Sequence, residues 1–194
     1  KLRTGHLAGN RFDILIRDPA ADAVASLESL LSRVNALGFP NAYGSQRFGR
    51  DQETLHLGLG LLRGERHERS IPFKRRKFLL RLALSAVQSL LFNQVLAARL
   101  GDGTLHRAEG GDVMQVVASG GCFLVEDVPA EQARYDRRET VMTGPIFGPK
   151  MKRAAGRPGE LEQLCLERSG LTLAHFARYA KLTPGARRPL LVWP

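Results

Sequence analysis

The sequence predicts an α+β protein, on three observations. A short β-rich run at 12–17 is followed by a helical pattern at 22–37 and then by a polar, glycine-containing loop. A long apolar-faced helix is written into 77–100. Two β-rich runs, 113–117 and 122–125, flank a glycine pair and read as a hairpin.

Taken in order, Phe12-Asp13-Ile14-Leu15-Ile16-Arg17 is bounded by Gly9-Asn10 and Asp18-Pro19 and reads as a strand. Val24, Leu27, Leu30, Leu31, Val34 and Leu37 recur at helical spacing, and Gly38 stops that helix. A second helix is expected over Gln52 to Leu62, weakened by Gly58 and Gly60. Between 63 and 81 the cations Arg63, Arg66, Arg69, Lys74, Arg75, Arg76, Lys77 and Arg81 face only Glu65 and Glu68. Such a run is either a solvated linker or helix face, or a surface that neutralises several phosphates. Ile71-Pro72 interrupts it, which places a domain boundary near residue 70.

The helix from Lys77 to Leu100 presents Phe78, Leu79, Leu82, Leu84, Leu91 and Val95, and Gly101 ends it. Gly110-Gly111-Asp112 reads as a turn before the hairpin, and Pro129 to Arg138 as a short polar helix with proline in its first turn. Thr143 to Arg153 is punctuated by glycine and proline and ends in Lys150, Lys152 and Arg153, so it reads as a loop, either a backbone clamp or plain surface. Helices are expected at Glu160–Arg168 and Thr172–Tyr179. Gly185-Ala186-Arg187-Arg188-Pro189 reads as a second basic turn, feeding an apolar run, Leu190 to Trp193, that resembles the start of a strand.

With 194 residues, 43% of them hydrophobic, the chain has room for one large or two small domains. A net charge of +10 favours a polyanionic partner, nucleic acid ahead of membrane. Cys122 and Cys165 are too few and too far apart for a disulfide framework or a four-ligand zinc site, and read as buried or incidental thiols in a reducing compartment. Residues 1–11 hold no apolar leader, and Phe78 to Phe92 is broken by Arg81 and Gln88 and is too short to cross a bilayer. A cytoplasmic protein is therefore expected. His6, His56, His67, His106 and His175 are scattered without ligand spacing, so no metal is expected. No phosphate-binding G-x-x-x-x-G-K-[ST] loop and no G-x-S-x-G elbow occurs. Because residue 1 is Lys and the last residues start an apolar run, the expectation is a piece of a longer protein.

The densest chemistry lies in Phe39-Pro40-Asn41-Ala42-Tyr43-Gly44-Ser45-Gln46-Arg47-Phe48-Gly49. Asn41 and Gln46 offer amides of the kind that read a base edge, Tyr43 and Phe48 offer stacking faces, and Arg47 a phosphate fork. Gly44 and Gly49 permit backbone angles closed to other residues. The alternative is a polar turn whose aromatics tuck into a core.

Asn41-Ala42-Tyr43-Gly44-Ser45-Gln46-Arg47-Phe48-Gly49 resembles the N-x-[FY]-G-x-Q-R-F-G motif of the TruD family of tRNA pseudouridine synthases. Upstream, Lys1 to Phe12 is similar to that family's K-L-R-x-G-x-L-x-G-N-x-F. Downstream, Leu91-Phe92-Asn93-Gln94 is similar to a helix of its inserted domain, Thr143-Gly144-Pro145 to its T-G-P turn, and Gly185 to Pro189 to its G-x-R-R-P stretch. The five matches occur in family order from end to end of the chain.

This resemblance implies an isomerase that detaches uracil from ribose, turns it and rejoins it through carbon, with one aspartate and no cofactor or metal. The expected substrate is a D-arm uridine of tRNA. It implies part of a catalytic domain with a mixed sheet (1–70), an inserted α+β domain (71–186) and a return into the catalytic domain (187–194). The family's aspartate lies in G-x-K-D-x-x-A, and no aspartate here follows a lysine, so the nucleophile is expected upstream of Lys1. Asn41 and Tyr43 carry over as substrate-binding residues, with Tyr43 standing where the family usually has Phe. Gly44, Gln46, Arg47, Phe48 and Gly49 are expected to support the pocket, and Lys1 and Arg3 to approach the missing aspartate. Lys74, Arg75, Arg76, Lys77, Lys150, Lys152, Arg153, Arg187 and Arg188 are expected on RNA backbone. The implied partner is tRNA, bound by a monomer. Two other classes fit the charge: a non-catalytic basic RNA-binding module, and a basic assembly or ribosome-associated protein, which would not need the Asn41 to Gly49 cluster.

Overall fold

The computed structural model describes residues 11–194, so Lys1, Arg3 and nearly all of the Lys1 to Phe12 motif lie outside the described residues. The chain divides into two compact units: residues up to Gly38 with Pro194, and Phe39–Trp193.

In the first unit, helix α1 spans Ala23–Leu37, where the apolar spacing places it. Gly38, at φ 72°, ends it and donates its N–H to the Val34 carbonyl. Val24, Leu27, Leu30 and Leu31 of its apolar stripe are exposed. The expected strand at 12–17 does not form, and its side chains are exposed. A β run without a neighbouring strand has no partner for its N–H and C=O groups, so its composition alone does not make it a strand.

The second unit is built on α3, Phe73–Gly101. Its apolar face is buried along most of its length and serves two clusters of core residues. Leu80, Leu84, Val87 and Leu91 pack with Leu55, Leu61 and Leu62 of α2 (Glu53–Arg63) and with Phe147, Leu166 and Phe176. Phe92 and Leu96 pack instead with Met114, Val141, Met142 and Leu190 of the sheet. Each such leucine or phenylalanine contributes about 1.5–3 kcal/mol by leaving water. Gly58, which weakens the expectation of a helix, has a packing role: a Cβ there would strike the Ala83 carbonyl and Val87 across the α2–α3 contact. The segments on either side of residue 70 therefore share one core. α3 is long and apolar enough to cross a membrane by length and composition, and 61% of its most apolar window is buried within this fold.

Four strands form a sheet in the order β3-β2-β4-β5, with β2 Val113–Val116, β3 Cys122–Leu124, β4 Thr140–Ile146 and β5 Ala186–Pro189. β1, Phe39–Pro40, pairs separately with β6, Leu191–Val192. Every pairing among the described residues is antiparallel, where the family pattern implies a mixed sheet. The 113–125 hairpin forms in the expected place. Two turns inferred from glycine and proline are strands instead. Thr143-Gly144-Pro145 lies inside β4, and Arg187-Arg188-Pro189 inside β5, paired as Thr143↔Pro189, Gly144↔Arg188 and Pro145↔Arg187. Pro145 is tolerated because the β2 pairing ends at Met142↔Met114, so its missing N–H falls past that ladder. Gly144 is required: a Cβ would lie 2.8 Å from Leu190 and 2.9 Å from the Phe92 ring.

Three further helices complete the unit. α4, Val128–Asp136, starts at Asp127, whose side chain accepts from the Ala130 N–H at 3.1 Å. α5, Gly156–Arg168, begins earlier than its apolar pattern implies, with Pro158 in the first turn. α6 covers Leu173–Ala177, and His175 Nδ1 accepts the Thr172 N–H at 3.0 Å. At the far end of α3, Arg99 and Asp112 form an ion pair with both side chains 3% exposed. Arg99 also donates to the Thr104 and Arg107 carbonyls, each at 3.0 Å, and so ties the helix end to the loop before β2.

Candidate functional site

The Asn41 to Gly49 segment leaves β1 and runs along α3. The Asn41 N–H donates to the Leu190 carbonyl at 2.9 Å, continuing the β1–β6 pairing. Its side-chain amide donates to the Pro189 carbonyl at 2.9 Å, and its Oδ1 accepts from Arg188 Nη2 at 2.5 Å. The residue is half-buried. These bonds leave one amide N–H and one oxygen lone pair of Asn41 for a ligand.

Tyr43 is fixed at its backbone. Asn93 accepts from the Tyr43 N–H and donates to the Tyr43 carbonyl, both at 2.9 Å. The ring meets Phe92 edge-on, with centroids 5.6 Å apart and planes at 78°. The Arg188 guanidinium carbon lies 4.3 Å from the Tyr43 centroid and 5.5 Å from that of Phe92. Arg47 approaches the Tyr43 ring at 5.3 Å. It is held by Ser89 Oγ at 3.1 Å and by Ser85 Oγ. Two guanidinium groups and two aromatic rings therefore surround the half-buried Asn41 and Tyr43, and no ion pair of Arg47 or Arg188 with a carboxylate occurs among the described residues. Arg188 Nε is buried without a hydrogen-bond partner. The arrangement is cationic, aromatic and equipped with a free amide edge, which suits a planar, hydrogen-bonding, anionic ligand such as a nucleotide.

Gly44 stands in open space, and Ser45, Gln46 and Arg50 are exposed. Gln46 therefore does not back the pocket. Phe48 packs against the core of α2 and α3. Gly49 has φ 84°, and Asp51 and Gln52 follow in left-handed conformation at φ 51° and 60°. Two successive non-glycine residues of this kind are unusual and turn the chain sharply into α2. Together with Ser45, Phe48, Gly49, Leu55 and Leu90 they line a cavity of about 350 Å³. A larger one of about 650 Å³ lies elsewhere, between α5 and residues 147–156.

The basic residues expected on RNA divide. Lys74, Arg75 and Lys77 are exposed on the first turn of α3, and Lys150 and Arg153 are exposed after β4. Lys152 is exposed and donates to the Cys122 carbonyl at 2.9 Å. Arg76 turns back to the Ile71 carbonyl. Arg187 is a correction: its side chain is 2% exposed and bidentate to Glu162 at 2.7 and 3.0 Å. It also donates to the Thr143 hydroxyl and carbonyl, so nothing remains for a phosphate. Burial pushes the Glu162 carboxyl above the ordinary range, against the pull of the Arg187 hydrogen bonds and charge. Arg188 is likewise corrected, from backbone contact to a member of the Asn41–Tyr43 cluster.

Sequence reasoning missed the roles of Ser85, Ser89 and Asn93. A signal was present: these three polar residues recur every fourth position through the mostly apolar middle of α3, so they form one stripe.

A family model described as "tRNA pseudouridine synthase D (TruD)" matches residues 1–70 and 74–194. A tRNA pseudouridine synthase D of Anaeromyxobacter dehalogenans is 41% identical over 188 residues, covering 97% of this chain and 53% of the relative. That of Thermus thermophilus is 42% identical over 192 residues, covering 99% and 51%. The chain thus spans about half the length of the curated relatives it matches. The crystal structure of a Methanosarcina mazei protein described as tRNA pseudouridine synthase D superposes with a TM-score of 0.72 at 21% identity, over 88% of this chain and 55% of that one, and shows the shared fold. On the family model and these relatives, the chain belongs to the tRNA pseudouridine synthase D (TruD) family.

Proposed function

We propose that this chain works within a tRNA pseudouridine synthase and supplies one wall of the pocket that holds a flipped D-arm uridine. The observation that carries the reading is the Asn41–Arg188–Tyr43–Phe92 cluster, a free amide edge beside cations and rings. Isomerisation breaks the bond from ribose C1′ to N1 of uracil and remakes it to C5. The base must leave its stack, at a cost of a few kcal/mol, and needs a surface that receives it. The Tyr43 ring receives a base face, the amide of Asn41 reads a uracil edge, and Arg188 holds Asn41 in register and lies over the Tyr43 ring. The sequence holds no Lys-Asp pair, so the aspartate nucleophile of the family belongs to polypeptide outside these residues. By family order residues 1–70 and 187–194 fall to the catalytic domain and 71–186 to the inserted domain, the two joined through the α2–α3 core and the β4–β5 pairing. The protein acts as a cytoplasmic monomer on tRNA, without a membrane.

Asn41→Ala in the full-length protein tests this. Pseudouridine formation in a tRNA transcript is expected to fall to background, while tRNA affinity is retained within about threefold, because phosphate contacts dominate affinity. Equal loss of both removes Asn41 from the pocket. The 194-residue chain by itself is expected to bind tRNA at low salt and to form no pseudouridine.

A further inference from the structure

The two most exposed aromatic side chains of the Phe39–Trp193 unit stand at the start of α3. Phe73 is 83% exposed and Phe78 is 64% exposed. Five positions apart, they stand about 140° from each other around the helix and so face different sides of it. Each is ringed by cations at i±3 or i±4: Phe73 by Arg76 and Lys77, Phe78 by Lys74, Arg75 and Arg81. Phe73, Arg76, Lys77, Leu80 and Leu182 line a groove of about 300 Å³. Arg76 is anchored on the Ile71 carbonyl at 3.1 and 3.3 Å, with its guanidinium carbon 5.6 Å from the Phe73 centroid, so the ring has a fixed neighbour. Lys74, Arg75, Lys77 and Arg81 are exposed and join no ion pair among the described residues.

Helix stability does not account for this pattern. No acidic residue occupies the first turn, and cations there oppose the positive end of the helix dipole. Solvent-facing phenylalanines gain nothing from burial either. We propose that the groove receives an unpaired nucleobase of the bound RNA, stacked on Phe73, while Lys74, Arg75 and Lys77 neutralise the flanking phosphates and Phe78, on another side of the helix, offers a platform to a second base farther along the strand. The inference rests on the reading of the chain as tRNA-binding. It names a second contact, because Phe73 and Phe92 lie about 28 Å apart along α3 at 1.5 Å per residue. A base within a duplex has no free face, so the partner is a single-stranded loop or end. A membrane surface fits less well: interfacial helices segregate an apolar face from a charged one, whereas here each ring sits among cations.

The test is a set of tRNA titrations of this chain over a salt series, with vesicles of phosphatidylserine and phosphatidylcholine in parallel. Phe73→Ala is expected to weaken tRNA binding by about 5- to 160-fold, the range for one base stack, with an unchanged salt slope. Lys74→Gln with Lys77→Gln is expected to reduce the slope by about 1.4–1.8, since each phosphate contact carries 0.7–0.9. Phe73→Trp should keep affinity, and its added fluorescence should be quenched by single-stranded RNA and not by duplex. Unchanged affinity of Phe73→Ala, with the wild-type chain binding tRNA, overturns the groove and leaves the tRNA reading standing. Phe73→Trp emission that answers only to vesicles also overturns it. A wild-type chain with no tRNA affinity at low salt overturns both.

Discussion

Arg187 and Arg188 on β5 and Lys74 to Lys77 on α3 are runs of the same charge in opposite surroundings. The β5 arginines pair with buried or half-buried partners: Arg187 with Glu162 and Thr143, Arg188 with Asn41 and the Tyr43 ring. Lys74, Arg75 and Lys77 face water on the first turn of α3. A strand alternates its side chains between faces, so β5 sends consecutive arginines to different partners. The first turn of α3 instead projects outward from a helix whose burial begins at Leu80. Charge in the sequence therefore says little about role until the fold decides which guanidinium is enclosed.

Three variants, one of them double, test this contrast. The largest effect is expected from Arg187→Ala, which leaves the buried Glu162 carboxyl without its partner and should cost about 3–5 kcal/mol, read as a lower urea midpoint. A loss near zero would put Arg187 with the surface cations. Gly144→Ala comes next, at about 1–3 kcal/mol by overpacking against Leu190 and Phe92. Because Phe92 meets Tyr43 edge-on, the same variant should also weaken uridine turnover in the full-length protein, and unchanged turnover would uncouple the sheet from the pocket. The smallest effect on stability belongs to Lys74→Gln with Lys77→Gln. Removing two cations from the positive end of a helix should leave the urea midpoint unchanged or raise stability by about 0.3–1 kcal/mol, while RNA binding weakens. A marked loss of stability would show that these lysines are structural after all.

Much of the fold is legible in residue patterns. The helices at 23–37, 53–63 and 73–101 follow apolar spacing, and the 113–124 hairpin follows its glycine pair. The strands at 140–146 and 186–189 do not, because Thr143-Gly144-Pro145 and Arg187-Arg188-Pro189 carry turn chemistry that the tertiary structure overrides. Gly144 is there to admit Phe92, and Arg187 to meet Glu162, and both reasons lie far away along the chain. The run at 12–17 shows the converse, since β composition without a partner strand gives no sheet.

At the site, the order of residues already puts an amide, a tyrosine and an arginine together in one loop, since residues 41–47 are neighbours along the chain. The same order carries the family, through motifs that follow one another along the chain. That Arg188, Phe92 and Asn93 complete the cluster, and that Arg187 does not, follows from the packing of β5 and α3. Local patterns report which residues can be helical or polar. Which of them meet depends on packing and on where each buried charge finds its partner, and those are properties of the assembled core.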